Sequence, residues 1–244
     1  MIAPPDAAMV LAAGLGTRMR PLTLTTAKPM LPLGGRALLD HALDRLAASG
    51  VSRAVVNTHW QAEQVAAHLR TRPPPPAVTL LPEETLLDTG GAVCAALPLL
   101  GPGPFYVLNG DSFWLDGPVP ALRRMADAFD AEAMDGVLLV HRTFQVHGDV
   151  GFGDFAMDKW GTLRRRGERE VVPYVYAGVQ LIAPALLDGM PEGAFSMNLA
   201  WQRALEAGRL RGVVHDGLWF HLSTPRDLAE AEYVLHMRVT SDTR

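Results

Sequence analysis

Cysteine is almost absent. Cys94 stands alone among 244 residues, which excludes an internal disulfide and any zinc site built on cysteine. It reads as a small apolar residue on a helix. No cation precedes Arg18, so the basic start of a secretory signal is missing. No apolar run approaches the length of a membrane span. A soluble, cytoplasmic chain with no membrane partner is expected. There is no excess of positive charge either. The formal net charge of −4 argues against broad nucleic-acid binding, which needs a basic face. Internal repeats are lacking, and Pro73 to Pro76 is the one low-complexity tract. With 48% hydrophobic and 20% charged residues, the composition is that of a globular protein long enough to bury a full core.

Charge of one sign is missing locally in a more telling place. Met9 to Ala13 reads as a buried strand, and it breaks into Gly14 and Gly16. Arg18, Arg20 and Lys28 follow with almost no acidic residue to neutralise them. Glycines let the backbone approach a ligand and turn its N–H groups inward, and cations beside such a loop suit a polyphosphate. The spacing is neither a Walker A loop nor a dinucleotide-binding fingerprint, because Met19 stands where a third glycine would be. Read alone, the segment is also compatible with a plain strand-to-helix turn bearing surface arginines.

The first half alternates elements. Helical patterns cover Ala37 to Ser49, Gln61 to Arg70, Thr89 to Leu97 and Val119 to Phe129. Strand patterns cover Arg53 to Asn57, Val78 to Leu81, Phe105 to Leu108 and Gly136 to Val140. This order predicts an α/β fold, a doubly wound and mostly parallel sheet with helices on both faces. Ligands then sit at the carboxyl ends of the strands, where the glycine loop and Asn109-Gly110-Asp111 both fall. The pattern loosens after residue 145. Tyr174 to Leu181 is the clearest strand of an insertion that lids the site, and helical character returns at Asn198 to Ala207. Arg211 to His215 and Trp219 to Leu222 read as strands, and Pro225 to Met237 as a closing helix.

Taken whole, residues 11 to 30 resemble the signature of the sugar-phosphate nucleotidyltransferases, Leu-Ala-Ala-Gly-x-Gly-x-Arg-Met-x-Pro-Leu-Thr followed by Pro-Lys-Pro. The first proline of that triplet is Ala27 here. The resemblance runs from Met9 to about Tyr233 and implies the Rossmann-like nucleotide-diphospho-sugar transferase fold with a small β-rich sugar-binding insertion. It implies a single domain over 1–244, with a nucleotide half to about residue 140 and the sugar-binding insertion and closing elements after it. No acyltransferase repeats follow.

Such an enzyme joins a sugar 1-phosphate to the α-phosphorus of a nucleoside triphosphate and expels pyrophosphate. The attacking phosphate oxygen is already ionised, so no Ser-His-Asp set is needed, and none is convincing here. The work is alignment of two polyanions and neutralisation of charge. By place in the matched motifs, Arg18 is expected at the triphosphate and transition state, and Lys28 at the sugar phosphate and α-phosphate. Asp111 is expected to hold Mg²⁺, an ion that leans on substrate phosphates. Ala13, Gly14, Gly16, Thr17, Glu83, Gly90, Gly91 and Asn109 are expected around the nucleotide. Asp154, Glu168 (or Glu170) and Gly178 are expected around the sugar.

Two departures stand out. The family's Glu-Lys-Pro motif, whose lysine often holds the sugar phosphate, is replaced by Arg164-Arg165-Arg166. Where the family's late strand carries a second metal aspartate, this chain has His221. His221 reads as a metal ligand, a donor to phosphate or a core histidine; as a ligand it would favour Mn²⁺ or Co²⁺ over Mg²⁺. Among small single-domain members the chain is most similar to N-acetylmuramate 1-phosphate uridylyltransferases of cell-wall recycling. Mannose 1-phosphate guanylyltransfer, glucose 1-phosphate thymidylyltransfer and a non-catalytic nucleotide-sugar-binding regulatory subunit are the alternatives.

Overall fold

The computed structural model describes residues 5–146 and 150–241. In chain order the elements are β1 (Ala7–Leu11), β2 (Pro32–Leu33), β3 (Arg36–Ala37), α1 (Leu38–Ala48), β4 (Arg53–Thr58), α2 (Ala62–Thr71), β5 (Ala77–Pro82) and α3 (Asp88–Leu100). There follow β6 (Phe105–Asn109), β7 (Phe113–Leu115), α4 (Ala121–Ala128), β8 (Gly136–Arg142), β9 (Phe155–Met157), β10 (Leu163–Arg165) and β11 (Tyr174–Ile182). The chain closes with α5 (Asn198–Glu206), β12 (Leu210–Val214), β13 (Leu218–Phe220) and α6 (Pro225–Ser241).

β1 is apolar throughout because it is covered on both faces, as central parallel strands are. It runs parallel to β6 on one side and β4 on the other, with Val10 beside Leu108 and Val56; β5 extends the parallel ladder from β4. Alternation along the strands then sorts side chains into two layers. Val10, Val56 and Leu108 pack with Leu39, Leu43 and Leu46 of α1 and Met125 of α4. Met9, Val55 and Val107 face the other way, onto Val93 and Ala96 of α3 and Trp201 of α5.

β11 reverses direction. It is antiparallel to both β6 and β8, and β12 lies parallel to β8. The β9–β10 hairpin joins the start of β11 where Phe155 pairs with Tyr174. One nine-stranded sheet therefore holds strands from β1 to β12, with β2–β3 and β7–β13 as separate two-stranded sheets, and residue 140 falls inside β8.

The pattern in the sequence and the structure differ at several ends. The first strand stops at Leu11, leaving Ala12 and Ala13 in the loop. The helix expected from Val119 starts at Ala121, because Pro120 is extended at the N-cap and disfavours the helical region for Val119 before it. After Gly16 the chain makes three short 3-10 turns in place of a helix. The short β7 is absent from the sequence reading. It pairs with β13 and, with Met19, Leu33, Leu38 and Leu222, forms a third small core beneath α6.

Gly178 is where β11 meets the loop after β6. It has φ +78° in a bulge between Tyr176 and Gln180, and a Cβ there would lie 1.8 Å from Ser112 Oγ. Gly178→Ala should therefore destabilise the fold by about 3 kcal/mol, from backbone strain and overpacking together. Urea unfolding measures this, and adding Ser112→Gly should restore part of the loss.

Candidate active site

A cavity of about 490 Å³ opens at the carboxyl ends of β1, β4, β5 and β6. Ala12, Ala13, Gly14, Gly16, Thr17 and Arg18 line it from the loop after β1, and Asn109 and Asp111 from the end of β6. Lys28, Asn57, Glu83, Asp88, Thr89 and Ser223 complete most of the wall. The two charged motifs lie far apart in sequence and meet here because β1 and β6 are neighbours.

The loop folds back on itself at Gly16. Its φ of +60° and its contact with Thr23 and Lys28 leave no space for a side chain, and its carbonyl accepts the Thr23 hydroxyl at 2.7 Å. That turn brings Lys28 back under the loop. Lys28 is buried, and its Nζ pairs with Asp111 Oδ2. The cation expected at phosphate and the carboxylate expected at metal thus neutralise each other in the free protein. Arg18 is exposed and makes no hydrogen bond or ion pair among the described residues, so its charge faces the cavity uncompensated.

Asn57 holds the edge together. Its Oδ1 accepts the Ala12 N–H at 2.8 Å, and its Nδ2 donates to Glu83 Oε1 at 2.7 Å. Glu83 Oε2 accepts the Leu87 N–H at 3.1 Å. Glu83 was expected to serve the nucleotide. It lines the cavity, but both carboxylate oxygens already tie β4 to the start of α3.

Gly90 and Gly91 lie elsewhere than expected. Neither lines the cavity. Both N–H groups donate to the Phe195 carbonyl, at 2.9 and 3.1 Å. A Cβ on Gly90 would strike the Phe195 ring, and one on Gly91 the Gly193 carbonyl. The N–H groups of Gly90 and Gly91 are therefore spent on Phe195. Asp88 and Thr89 face the cavity in their place.

The three residues expected around the sugar also lie outside the cavity lining. Gly178 backs the Asp111 loop. Asp154 Oδ2 accepts the Tyr176 N–H at 2.8 Å. Glu168 is exposed in the loop after β10. Glu170 is forked by Arg164, which holds its carboxyl well below the usual carboxylate range.

His221 stands behind Ser223, with Nε2 2.7 Å from Ser223 Oγ. Burial lowers its pKa, the Asp227 carboxylate opposes that, and Arg18 and Lys28 add to the lowering. It is thus within the field of the cationic cluster. Among the described residues, no group of three or more His, Cys, Asp or Glu side chains could hold a metal ion. No described helix is long and apolar enough to cross a membrane.

Asn57, Asp88, Thr89 and Ser223 escaped the sequence reading as wall residues. A signal existed for Asn57. Like Asn109, it is a polar residue closing an apolar strand at the ligand edge.

A fold of this kind, with a cationic glycine loop and a strand-end aspartate at one edge, defines a class. The model of the nucleotidyl transferase family matches residues 7–169. The chain belongs to that family, as a sugar-1-phosphate nucleotidyltransferase. Enzymes of the family take a nucleoside triphosphate and a sugar phosphate, and generally use a divalent metal. The chain is 42% identical over 232 residues to the N-acetylmuramate alpha-1-phosphate uridylyltransferase of Caulobacter vibrioides, covering 93% of this chain and 96% of that protein. It is 32% identical over 230 residues to the protein of that name from Neisseria meningitidis serogroup B, covering 92% and 96%. A UDP-glucose pyrophosphorylase solved with UDP-glucose shares the fold, with a TM-score of 0.79 and 14% identity over 96% of this chain and 99% of that one.

Asn57→Ala should destabilise the protein by about 3 kcal/mol, because it leaves Glu83 Oε1 and the Ala12 N–H buried without partners. Chemical denaturation measures that loss, and the KM for nucleotide should rise as the glycine loop loses its anchor.

Proposed function

We propose that the chain transfers a uridylyl group from UTP to N-acetylmuramate α-1-phosphate and releases pyrophosphate. The observation that carries this reading is the convergence of Arg18, Lys28 and Asp111 on one cavity, in a chain 42% identical to an enzyme of that name. A phosphate oxygen of the sugar attacks the α-phosphorus. The bond from that phosphorus to the bridging oxygen breaks, and pyrophosphate leaves with the electron pair.

No group in the chain has to remove a proton, so its task is electrostatic. Arg18 stabilises charge on the triphosphate and the departing pyrophosphate. Lys28 exchanges Asp111 for the sugar phosphate and α-phosphate, and holds the two reacting groups in line. Gly14 leaves the loop open, since nothing lies within 4 Å of where its Cβ would be. Gly16 and Thr17 line the phosphate end with backbone, beside Ala13 and Asn109.

The donor set suits a metal held largely by substrate. Of the three carboxylates lining the cavity, Glu83 is engaged at both oxygens and Asp88 accepts the Thr89 N–H, while Asp111 lies beside Lys28, and no cluster of three donors exists among the described residues. Asp111 would hold Mg²⁺, which keeps several waters and binds substrate phosphates. His221, from behind Ser223, would make Mn²⁺ or Co²⁺ workable alternatives. When bound, the ion neutralises charge on the transferring phosphates.

Pyrophosphate release with UTP, GTP, dTTP and CTP, each against several sugar 1-phosphates, tests the reading. UTP with N-acetylmuramate 1-phosphate should give the highest kcat/KM, and chelation of divalent metal should abolish turnover. A preference for GTP with mannose 1-phosphate, or dTTP with glucose 1-phosphate, would replace it.

Arg18→Ala and Lys28→Ala should each lower turnover by at least about a hundredfold with the fold retained, since a positioned cation on a transferring phosphoryl group is worth several kcal/mol. Steady-state kinetics beside circular dichroism separate the two effects. Near-normal kcat/KM in either variant would remove that residue from the site.

A further inference from the structure

The three arginines that replace the family's Glu-Lys-Pro are used in different ways. Arg164 forks onto Glu170, with Nη1 2.8 Å from Oε2. Arg166 gives its Nη1 to the Gly167 and Glu168 carbonyls and lies over Phe152. Arg165 is half-buried, with its guanidinium 5.0 Å from the centre of the Phe155 ring and 6.0 Å from that of Trp201. Its hydrogen bond among the described residues runs from Nη2 to Asn198 Oδ1, at 2.8 Å. It has no ion pair there. The acidic group that acts on it, Asp154, spends Oδ2 on the Tyr176 N–H. A guanidinium taken out of water without a counter-ion is unfavourable, and an anion that forks onto it repays the cost.

Two chains of contacts lead from Arg165, which lies outside the cavity lining, toward the cavity. Arg165, Phe155 and Tyr174 are register partners across β10, β9 and β11, so their side chains share a face. Tyr176 follows on that face, its ring 4.8 Å from Trp201 and its hydroxyl buried without a partner among the described residues. Burial and then the Asp111 carboxylate raise its pKa, which sets it within the field of the catalytic edge. On the other side, Thr89 lines the cavity and its Oγ1 accepts the Met197 N–H at 2.9 Å. The next residue, Asn198, is the one that orients Arg165. From Tyr174 to Gly178, which backs the Asp111 loop, β11 spans on the order of 13 Å. A hexose 1-phosphate with a short acidic arm can bridge such a gap.

We propose that Arg165 reads a carboxylate on the sugar and makes the site selective for an acidic sugar 1-phosphate over its neutral counterpart. The inference rests on the acceptor proposed above, since the lactyl ether of N-acetylmuramate supplies that acid. Stacking on Phe155 and the bond to Asn198 hold the guanidinium plane. Its remaining N–H groups on Nε, Nη1 and Nη2 stay available for a planar, charge-assisted contact that lysine could not reproduce.

The test compares N-acetylmuramate 1-phosphate with N-acetylglucosamine 1-phosphate, the same sugar without the acid, at saturating UTP. Wild-type enzyme should favour the acidic sugar by about a hundredfold or more in kcat/KM, because a site built to bind a polar group rejects the analogue that lacks it. Arg165→Met keeps the apolar stem against the rings. It should lower kcat/KM for the acidic sugar by about a hundredfold and leave the neutral sugar within about threefold, so that selectivity collapses. Turnover of the neutral sugar serves as the folding control, and Arg165→Gln should behave alike. Equal losses on both sugars would assign Arg165 to the phosphate or to structure and overturn the proposal. Retained selectivity in the variant would overturn it while leaving the proposed acceptor intact. If the wild-type enzyme does not turn over the acidic sugar at all, the proposed acceptor falls, and this inference with it.

Discussion

The site depends on how three parallel strands are allowed to end. Where β1, β4 and β5 stop, their last backbone groups lose the ladder that satisfied them, and buried N–H groups without partners are costly. The Asn57 carboxamide answers this at one point, accepting from Ala12 and donating to Glu83, while Glu83 passes the tie on to Leu87. Three strand ends and the start of α3 are joined through two side chains. The glycine loop can leave β1 at a fixed angle because Ala12 is held, and every phosphate contact proposed for that loop inherits its position from this network.

The second constraint is local charge. A chain of net charge −4 binds two polyanions because the cations are gathered where the acids are not. In the free protein Lys28 and Asp111 cancel one another, and Arg18 supplies the uncompensated charge. Desolvation of Lys28 is thereby offset without substrate. The same pairing keeps the lysine and the carboxylate at the place where an incoming phosphate and its metal would separate them.

Much of this was legible in the sequence. The parallel half of the sheet could be read because β1, β4 and β6 are short apolar runs followed by glycine or a polar turn residue. Arg18, Lys28 and Asp111 could be read from motifs whose spacing is set by the loop. The glycines were harder. Gly90 and Gly91 looked like ligand contacts, and the structure gives them to Phe195 and Gly193, a partner more than a hundred residues away that no local pattern reveals. Glu83 was expected around the nucleotide and lines the cavity, with both oxygens engaged by the Asn57 side chain and the Leu87 N–H.

The sequence alone therefore determined the α/β order, the edge at which the cavity opens and the charged residues that line it in the glycine loop and after β6. These depend on hydrophobic periodicity and on contacts within a few residues. Tertiary structure decided which polar side chains are spent on one another. It also decided where β11 turns against the sheet, and that Arg165, of three adjacent arginines, is the one laid against Phe155 and Trp201 with no ion pair among the described residues. Those outcomes are set by packing between distant segments, where burial fixes what each charge costs and the nearest neighbour fixes what repays it.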